Sequence, residues 1–193
     1  MTDTSAYGPS ALATPANAVT IVRMLVSPVI FTMIAHDGYS WSIFALWVVL
    51  AGTDGVDGWV ARRHGTTLSG AWLDPLADKV LVLGAMYALV SIGRFVWVPV
   101  AIIAGRELFI QLYRAYWGKR GVSIPARGTA KIKTFLQAFA VGFAVFPLTL
   151  DRGITWPADV LLWASVLMAV VSAVQYVLDG RVAASAQPPL DLV

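Results

Sequence analysis

The chain has 193 residues, 58% of them hydrophobic and only 13% charged, with a mean hydropathy of +0.72 and a net charge of +3. So apolar a composition excludes an ordinary soluble domain and indicates an integral membrane protein. The lack of cysteine excludes disulfides, thiolate chemistry and cysteine-ligated metals. His36 and His64 stand too far apart for a zinc pair, and so small a net charge gives no reason to expect a nucleic-acid partner.

The opening stretch "MTDTSAYGPSALATPANAVT" has no basic region followed by a short apolar core and a cleavage site, so no removable signal is expected. Residues 1–16 are read as a loose or membrane-surface arm. Crossing the hydrocarbon core takes about 20 residues. Six apolar segments of that order follow: Asn17 to Ala35, Ser40 to Val60, Asp74 to Ile92, Phe95 to Trp117, Lys133 to Leu150 and Ala158 to Leu178. The predicted fold is all-α, a polytopic bundle of six transmembrane helices forming one domain over residues 17–180. The stretch from 181 to 193, ending "ASAQPPLDLV", is read as a disordered tail.

Arg62 and Arg63 follow the second segment, Lys119, Arg120, Arg127, Lys131 and Lys133 follow the fourth, and Arg181 follows the sixth; the opposite loops hold only Arg94 and Arg152. Positive loops face the cytoplasm. Both termini are therefore expected to be cytoplasmic, in a multi-pass protein of the cell (inner) membrane with its active site at the cytoplasmic side. The eight tryptophans read as interface anchors. Trp41, Trp97 and Trp156 stand near expected external ends and Trp59 and Trp72 near the cytoplasmic face, where stacking on a nucleobase is an alternative.

Charge within the apolar segments is the most informative feature. "DGVDGWVARRHGTTLSGAWLDPLADKV" carries four aspartates, Asp54, Asp57, Asp74 and Asp78. On a helix Asp54 and Asp57 stand about 60° and about 4.5 Å apart, and Asp74 and Asp78 about 40° and about 6 Å apart, so each pair shares a face. Consecutive membrane helices joined by a short loop pack antiparallel, which sets one pair opposite the other. Left empty, four such carboxylates repel one another or take up protons. Filled, they form an oxygen-rich site suited to Mg²⁺, Mn²⁺ or Ca²⁺, and such cations in turn bind phosphate oxygens. Gly55, Gly58, Ala61 and Gly70 remove bulk beside the acids, leaving room for a ligand or a second backbone. Taken singly, Asp74 before Pro75 also suits a helix start, and Asp78 beside Lys79 an interfacial ion pair.

At these residues the sequence resembles the CDP-alcohol phosphotransferase family. The family signature joins an Asp-Gly-x-x-Ala-Arg element to a Gly-x-x-x-Asp-x-x-x-Asp element, with a further Asp three residues upstream; here these are Asp54, Asp57, Gly58, Ala61, Arg62, Gly70, Asp74 and Asp78. Seven residues separate Arg62 from Gly70, one fewer than the family pattern has. The resemblance implies a six-helix membrane enzyme, usually a homodimer among membrane lipids, that moves the phosphatidyl-type group of a CDP-linked lipid onto an alcohol and releases CMP. It implies two divalent ions, Mg²⁺ or Mn²⁺, held by Asp54, Asp57, Asp74 and Asp78, with Asp78 also the base that deprotonates the acceptor hydroxyl. Asp57, Gly58, Ala61, Arg62 and Gly70 would form the nucleotide site.

Beyond the signature, the chain up to about residue 137 resembles the phosphatidylglycerophosphate synthase branch of that family. Asn17, Thr20 and Arg23 match its opening element, Arg106, Glu107 and Arg114 an Arg-Glu element followed by Arg, and Lys131, Lys133, Thr134 and Gln137 a Lys-x-Lys-Thr element and Gln. The resemblance implies CDP-diacylglycerol as donor and sn-glycerol-3-phosphate as acceptor, with inositol phosphate or phosphatidylglycerol as alternative acceptors. Arg106 and Arg114 lie about two turns apart on the fourth helix, and with Arg127, Lys131 and Lys133 they are the candidates for the acceptor phosphate, since Arg supplies bidentate donors and Lys a point charge. The same cations also suit a positive loop touching anionic headgroups, and Arg106 suits a pair with Glu107. From another class, a divalent-cation transporter explains the acids and the membrane but not Gly58, Ala61, Arg62 and Gly70 at these spacings.

Overall fold

The computed structural model describes residues 15–64, 68–118, 120 and 129–185, with side chains described at 18–53, 77–118, 120 and 131–181. The described regular structure is all α-helical: α1 Pro15–Asp37, α2 Trp41–His64, α3 Leu68–Ser91, α4 Trp97–Gly118, α5 Thr129–Val145, α6 Pro147–Leu150 and α7 Trp156–Ser185. Long apolar runs favour this state because a helix satisfies its own backbone donors and acceptors where no water is available to do so.

Four of the expected segments appear as single helices near the expected bounds, whereas the third begins six residues earlier, at Leu68. Asp74 and Pro75 therefore fall inside α3 rather than at its start. The fifth expected segment, Lys133 to Leu150, is not one helix. Pro147 has no N–H to continue the ladder and pushes the preceding residue out of helical geometry, so α5 stops at Val145, Phe146 is extended at ψ 112°, and a single turn, α6, restarts at Pro147. α7 continues to Ser185, past the expected tail boundary at 181. Gly180 does not end it, because that glycine is buried where an added Cβ would overlap the Tyr113 ring. Residues 1–14 of the expected arm and 186–193 of the tail lie outside the described residues.

The chain divides into two compact units, Met1–Val96 with Val141–Ala158, and Trp97–Ala140 with Asp159–Val193. In the first, α1 packs on both α2 and α3. The buried face of α1 reads Thr20, Arg23, Ser27, Ile30 and Ile34, polar toward its N-terminus and apolar toward its C-terminus. Opposing this, α2 buries Ile43, Trp47 and Leu50 in its N-terminal half, and α3 buries Leu81, Ala85, Met86 and Leu89 toward its C-terminus. α1 and α3 approach closely at Gly84, where a Cβ would overlap the Phe31 ring. Trp47 departs from the anchor expectation: it is 2% exposed and belongs to this core. By contrast Trp41, Trp97 and Trp156 are each the first residue of a helix and each well exposed.

In the second unit, α4 buries Val100, Ile103 and Ile110, and α7 buries Leu162, Val166, Ala169 and Tyr176. Their outer faces are also apolar: Leu108 and Leu112 on α4, Phe135 and Phe139 on α5, and Trp163, Leu167, Val170 and Val174 on α7 are all exposed at helical spacing. Helices apolar on both faces need a solvent that is itself apolar. The protein is accordingly a membrane protein. Among the described residues, Ala18–Asp37 and Trp156–Arg181 are long and apolar enough to cross a bilayer without reference to the other helices.

Polar links close the first unit, among them Arg94 Nη2 donating to the Thr155 carbonyl at 2.9 Å. Tyr39, between α1 and α2, donates its phenol to Asp151 Oδ1 at 3.1 Å, and this hydrogen bond to the carboxylate, with its charge, raises the Tyr39 pKa. The bond needs the neutral phenol, so its contribution is complete below the ordinary tyrosine pKa of about 10 and is lost as pH rises through the raised value. Replacing Tyr39 with Phe is expected to lower the unfolding midpoint in detergent at neutral pH and to leave it flatter above about pH 10, so that the two curves converge as pH rises; parallel curves would show that this bond contributes nothing to the pH dependence.

Candidate functional site

Asp54 and Asp57 lie in the C-terminal half of α2, and Asp74 and Asp78 in the N-terminal half of α3. Both pairs sit within unbroken helix, so the one-turn spacing within each pair is kept. Gly58, Ala61 and Arg62 belong to the same stretch of α2, and Gly70 to the first turn of α3 rather than to a loop. The side chains of Asp54, Asp57, Gly58, Ala61, Arg62, Gly70 and Asp74 lie outside the described residues, as does the connection 65–67 within the Arg62-to-Gly70 stretch.

Helix rise still fixes the axial levels. His64 ends α2 and Leu68 begins α3, so Asp54 and Asp78 each lie about 15 Å from that junction, and Asp57 and Asp74 about 10 Å from it, at 1.5 Å per residue. The four positions thus lie at two matched distances from the junction. A set of four carboxylates at that spacing has the hard-oxygen chemistry that Mg²⁺ and Mn²⁺ require. Asp78 is half-buried and engaged in a polar interaction.

Arg23 is the side chain at this end of the first unit to which sequence reasoning gave no role. It is 1% exposed, and its Nε donates to Thr53 Oγ1 at 3.3 Å, one residue before Asp54. Thr53 Oγ1 in turn donates to the Leu50 carbonyl at 2.8 Å, and Ser27 donates to the Arg23 carbonyl at 2.7 Å, so Arg23 is held at both its head and its backbone. An arginine does not lose its proton in a protein interior. Its burial therefore commits this end of α1 and α2 to polar and anionic neighbours. The signal was present in the sequence as Thr20, Arg23 and Ser27 at helical spacing, an alignment that marks a buried face only once α1 is known to be covered there.

The second unit contains a separate charged cluster. Glu107 accepts from Arg106 Nη1 at 3.0 Å and from Lys133 Nζ, with the three side chains 9%, 8% and 6% exposed. Arg106 also donates through Nε to the Ala169 carbonyl and through Nη2 to Ser172 Oγ, fastening α4 to α7. Two cations thus share one buried carboxylate. Of the expected acceptor-phosphate residues, Arg106 and Lys133 are thus brought together, Arg114 and Lys131 are exposed, and Arg127 lies outside the described residues. Beside Lys133, Gln137 is buried, and its Nε2 has no partner among the described residues. Such an orphan donor costs about 1–3 kcal/mol.

Sequence comparison places these features in a family. The model of the CDP-alcohol phosphatidyltransferase family matches residues 13–171, and the chain belongs to that family. The match runs on past residue 137 into α7. Among its relatives is a probable phosphatidylglycerophosphate synthase of Mycobacterium tuberculosis, 35% identical over 179 residues, covering 88% of this chain and 83% of the relative. CDP-diacylglycerol–glycerol-3-phosphate 3-phosphatidyltransferases of Rickettsia typhi and Bacillus subtilis are similar at 31% and 30% identity, each over 83% of this chain and over 93% and 91% of their own lengths.

Removing one member of a buried ion cluster leaves the others uncompensated, at a cost of about 3–5 kcal/mol. Glu107→Gln is expected to lower stability in detergent by that order, and combining it with Lys133→Met to recover most of the loss. A single Glu107→Gln variant as stable as the parent would show that the cluster is not held by charge.

Proposed function

We propose that the chain transfers the phosphatidyl group of CDP-diacylglycerol to sn-glycerol-3-phosphate, giving phosphatidylglycerol phosphate and CMP. The observation that carries the reading is the coincidence of the aspartate-glycine signature, carried on the consecutive helices α2 and α3, with relatives whose names specify this reaction over most of both chains. Residues 17–180 act as one catalytic domain of six membrane passages, the fifth made of α5 and α6 together. Both termini and the active site face the cytoplasm, the protein sits in the cell (inner) membrane, and it works as a homodimer. Support for the orientation comes from the lysines and arginines concentrated after α2 and α4.

In this reading Asp54, Asp57, Asp74 and Asp78 hold two divalent ions, Mg²⁺ or Mn²⁺. When bound, the ions neutralise the diphosphate and stabilise the departing CMP. Asp57, Gly58, Ala61, Arg62 and Gly70 receive the nucleotide, the small residues leaving space beside the acids. Arg23 braces the turn of α2 that carries Asp54, through Thr53. The Asp78 carboxylate takes the proton of the acceptor hydroxyl as its oxygen bonds to the lipid-bearing phosphorus and the bond from that phosphorus to CMP breaks. No covalent bond to the enzyme is formed. Arg106 and Lys133 bind the acceptor phosphate, with Arg114, Arg127 and Lys131 attracting the dianion from the aqueous side.

The deciding experiment is CMP release by the purified protein in detergent with CDP-diacylglycerol and Mg²⁺, offering glycerol-3-phosphate, inositol phosphate and phosphatidylglycerol separately. Release with glycerol-3-phosphate alone is expected; release with another acceptor alone would overturn the acceptor, and none with any would overturn the activity. Asp78→Asn is expected to cut turnover by about 10²–10⁴-fold while CDP still protects the protein against unfolding; undiminished turnover would remove Asp78 as the base. Chelating divalent ions with EDTA is expected to abolish CMP release and added Mg²⁺ or Mn²⁺ to restore it, whereas turnover that persists in chelator would rule out the metal role of the four aspartates.

A further inference from the structure

Ser165 and Ser172 lie about two turns apart on one face of α7, and both are buried. Each hydroxyl donates to the carbonyl three residues earlier, Ser165 to Leu162 at 2.7 Å and Ser172 to Ala169 at 2.9 Å. Such a local bond satisfies a serine inside a helix without help from a neighbour. Only Ser172 goes further. Its Oγ accepts from Arg106 Nη2 at 2.9 Å, and the Ala169 carbonyl to which it donates accepts from Arg106 Nε at 3.3 Å.

The hydroxyl oxygen and the carbonyl oxygen, 2.9 Å apart, thus form a two-point acceptor for the Nε–Nη2 edge of the guanidinium. A guanidinium is planar and rigid, so holding one edge at two points fixes the direction of the whole fork. That leaves the outer edge, where Nη1 meets Glu107 at 3.0 Å and Nη2 keeps an N–H with no partner among the described residues. Because the Ser172 proton is committed to Ala169, the hydroxyl has nothing to donate to an anion. Ser172 is placed to aim Arg106, not to touch a phosphate itself.

We propose that Ser172 is a positioning residue of the acceptor site, holding Arg106 with the Ala169 carbonyl so that the outer edge of the guanidinium meets the acceptor phosphate. The proposal rests on the role given to Arg106 above and deepens it, by extending the site to α7 and to a residue just past the family match, which ends at 171. A serine that only tied α4 to α7 would have a different signature. Its loss would lower stability without favouring one substrate over the other.

The test sets Ser172→Ala beside Ser165→Ala, which removes the same local bond at an equally buried position without touching Arg106. Ser172→Ala is expected to raise the KM for glycerol-3-phosphate about tenfold, the effect of one lost hydrogen bond to a charged group. The KM for CDP-diacylglycerol should stay unchanged, and Ser165→Ala should move neither. Ser172→Thr keeps the oxygen and its bond to the carbonyl, and should restore the parent value. An unaltered KM for glycerol-3-phosphate in Ser172→Ala, equal increases in both KM values, or the same change from Ser165→Ala would overturn the assignment. So would a Ser172→Thr variant that is as stable as the parent yet behaves like Ser172→Ala; if the added methyl lowers stability, the two alanine variants decide alone. A parent that releases no CMP with glycerol-3-phosphate overturns the proposed function instead, and protection against unfolding by inorganic phosphate then tests this inference by itself. The phosphate concentration giving half-protection should rise about tenfold in Ser172→Ala and stay at the parent value in Ser165→Ala. Equal protection of the two variants, or none of the parent, would sink it.

Discussion

A guanidinium enclosed to 1% exposure among membrane helices cannot discharge itself, and the arrangement of α1, α2 and α3 follows from that constraint. Arg23 needs polar company, which the N-terminal half of α1 finds at Thr53 in the C-terminal half of α2. That contact runs the two helices antiparallel and gathers the polar residues of the unit at one end, leaving Ile30, Ile34, Ile43, Met86 and Leu89 to pack at the other. Asp54 and Asp57 lie at the polar end of α2 because they follow Thr53 within a turn or so.

The second unit applies the same rule with a different outcome. Glu107 accepts from both Arg106 and Lys133, and Arg106 spends its remaining contacts on the Ala169 carbonyl and Ser172 of α7. An arginine so engaged is rigid. Its orientation is set by α7. Arg114, two turns on, has no such restraint and suits long-range attraction better than positioning.

Much of this was legible in the sequence, and the reasons for the exceptions are physical. Asp54 to Asp78 were identifiable because ionised groups in apolar segments are rare and because helical spacing is a property of the backbone alone. The bounds of α3 were misjudged because Asp74-Pro75 is a good helix start when read locally; α3 instead carries Pro75 inside it, which a membrane helix tolerates. Pro147 was the converse, a proline that does break its segment. Trp47 read as an anchor because composition does not distinguish a tryptophan at the bilayer surface from one in a core. Arg23, Glu107 and Gln137 were visible as motif members, yet their burial and their partners depend on which helix covers which, and no local pattern contains that.

The bond between Tyr39 and Asp151 spans 112 residues of sequence. The unit it closes is therefore discontinuous, begun by α1 to α3 and completed only when residues 141–158 have been made. At a synthesis rate of about 5–20 residues per second, the acid-bearing helices wait on the order of ten seconds for that closing segment. Through this interval the contacts available are those of short sequence separation, and Arg23 to Thr53, 30 residues apart, is among the earliest that can join two helices. The Arg23 charge, which joins α1 to α2 in the finished unit, is thus also suited to guarding its half-built precursor, at the stage when incomplete helix pairs are most vulnerable to misassembly.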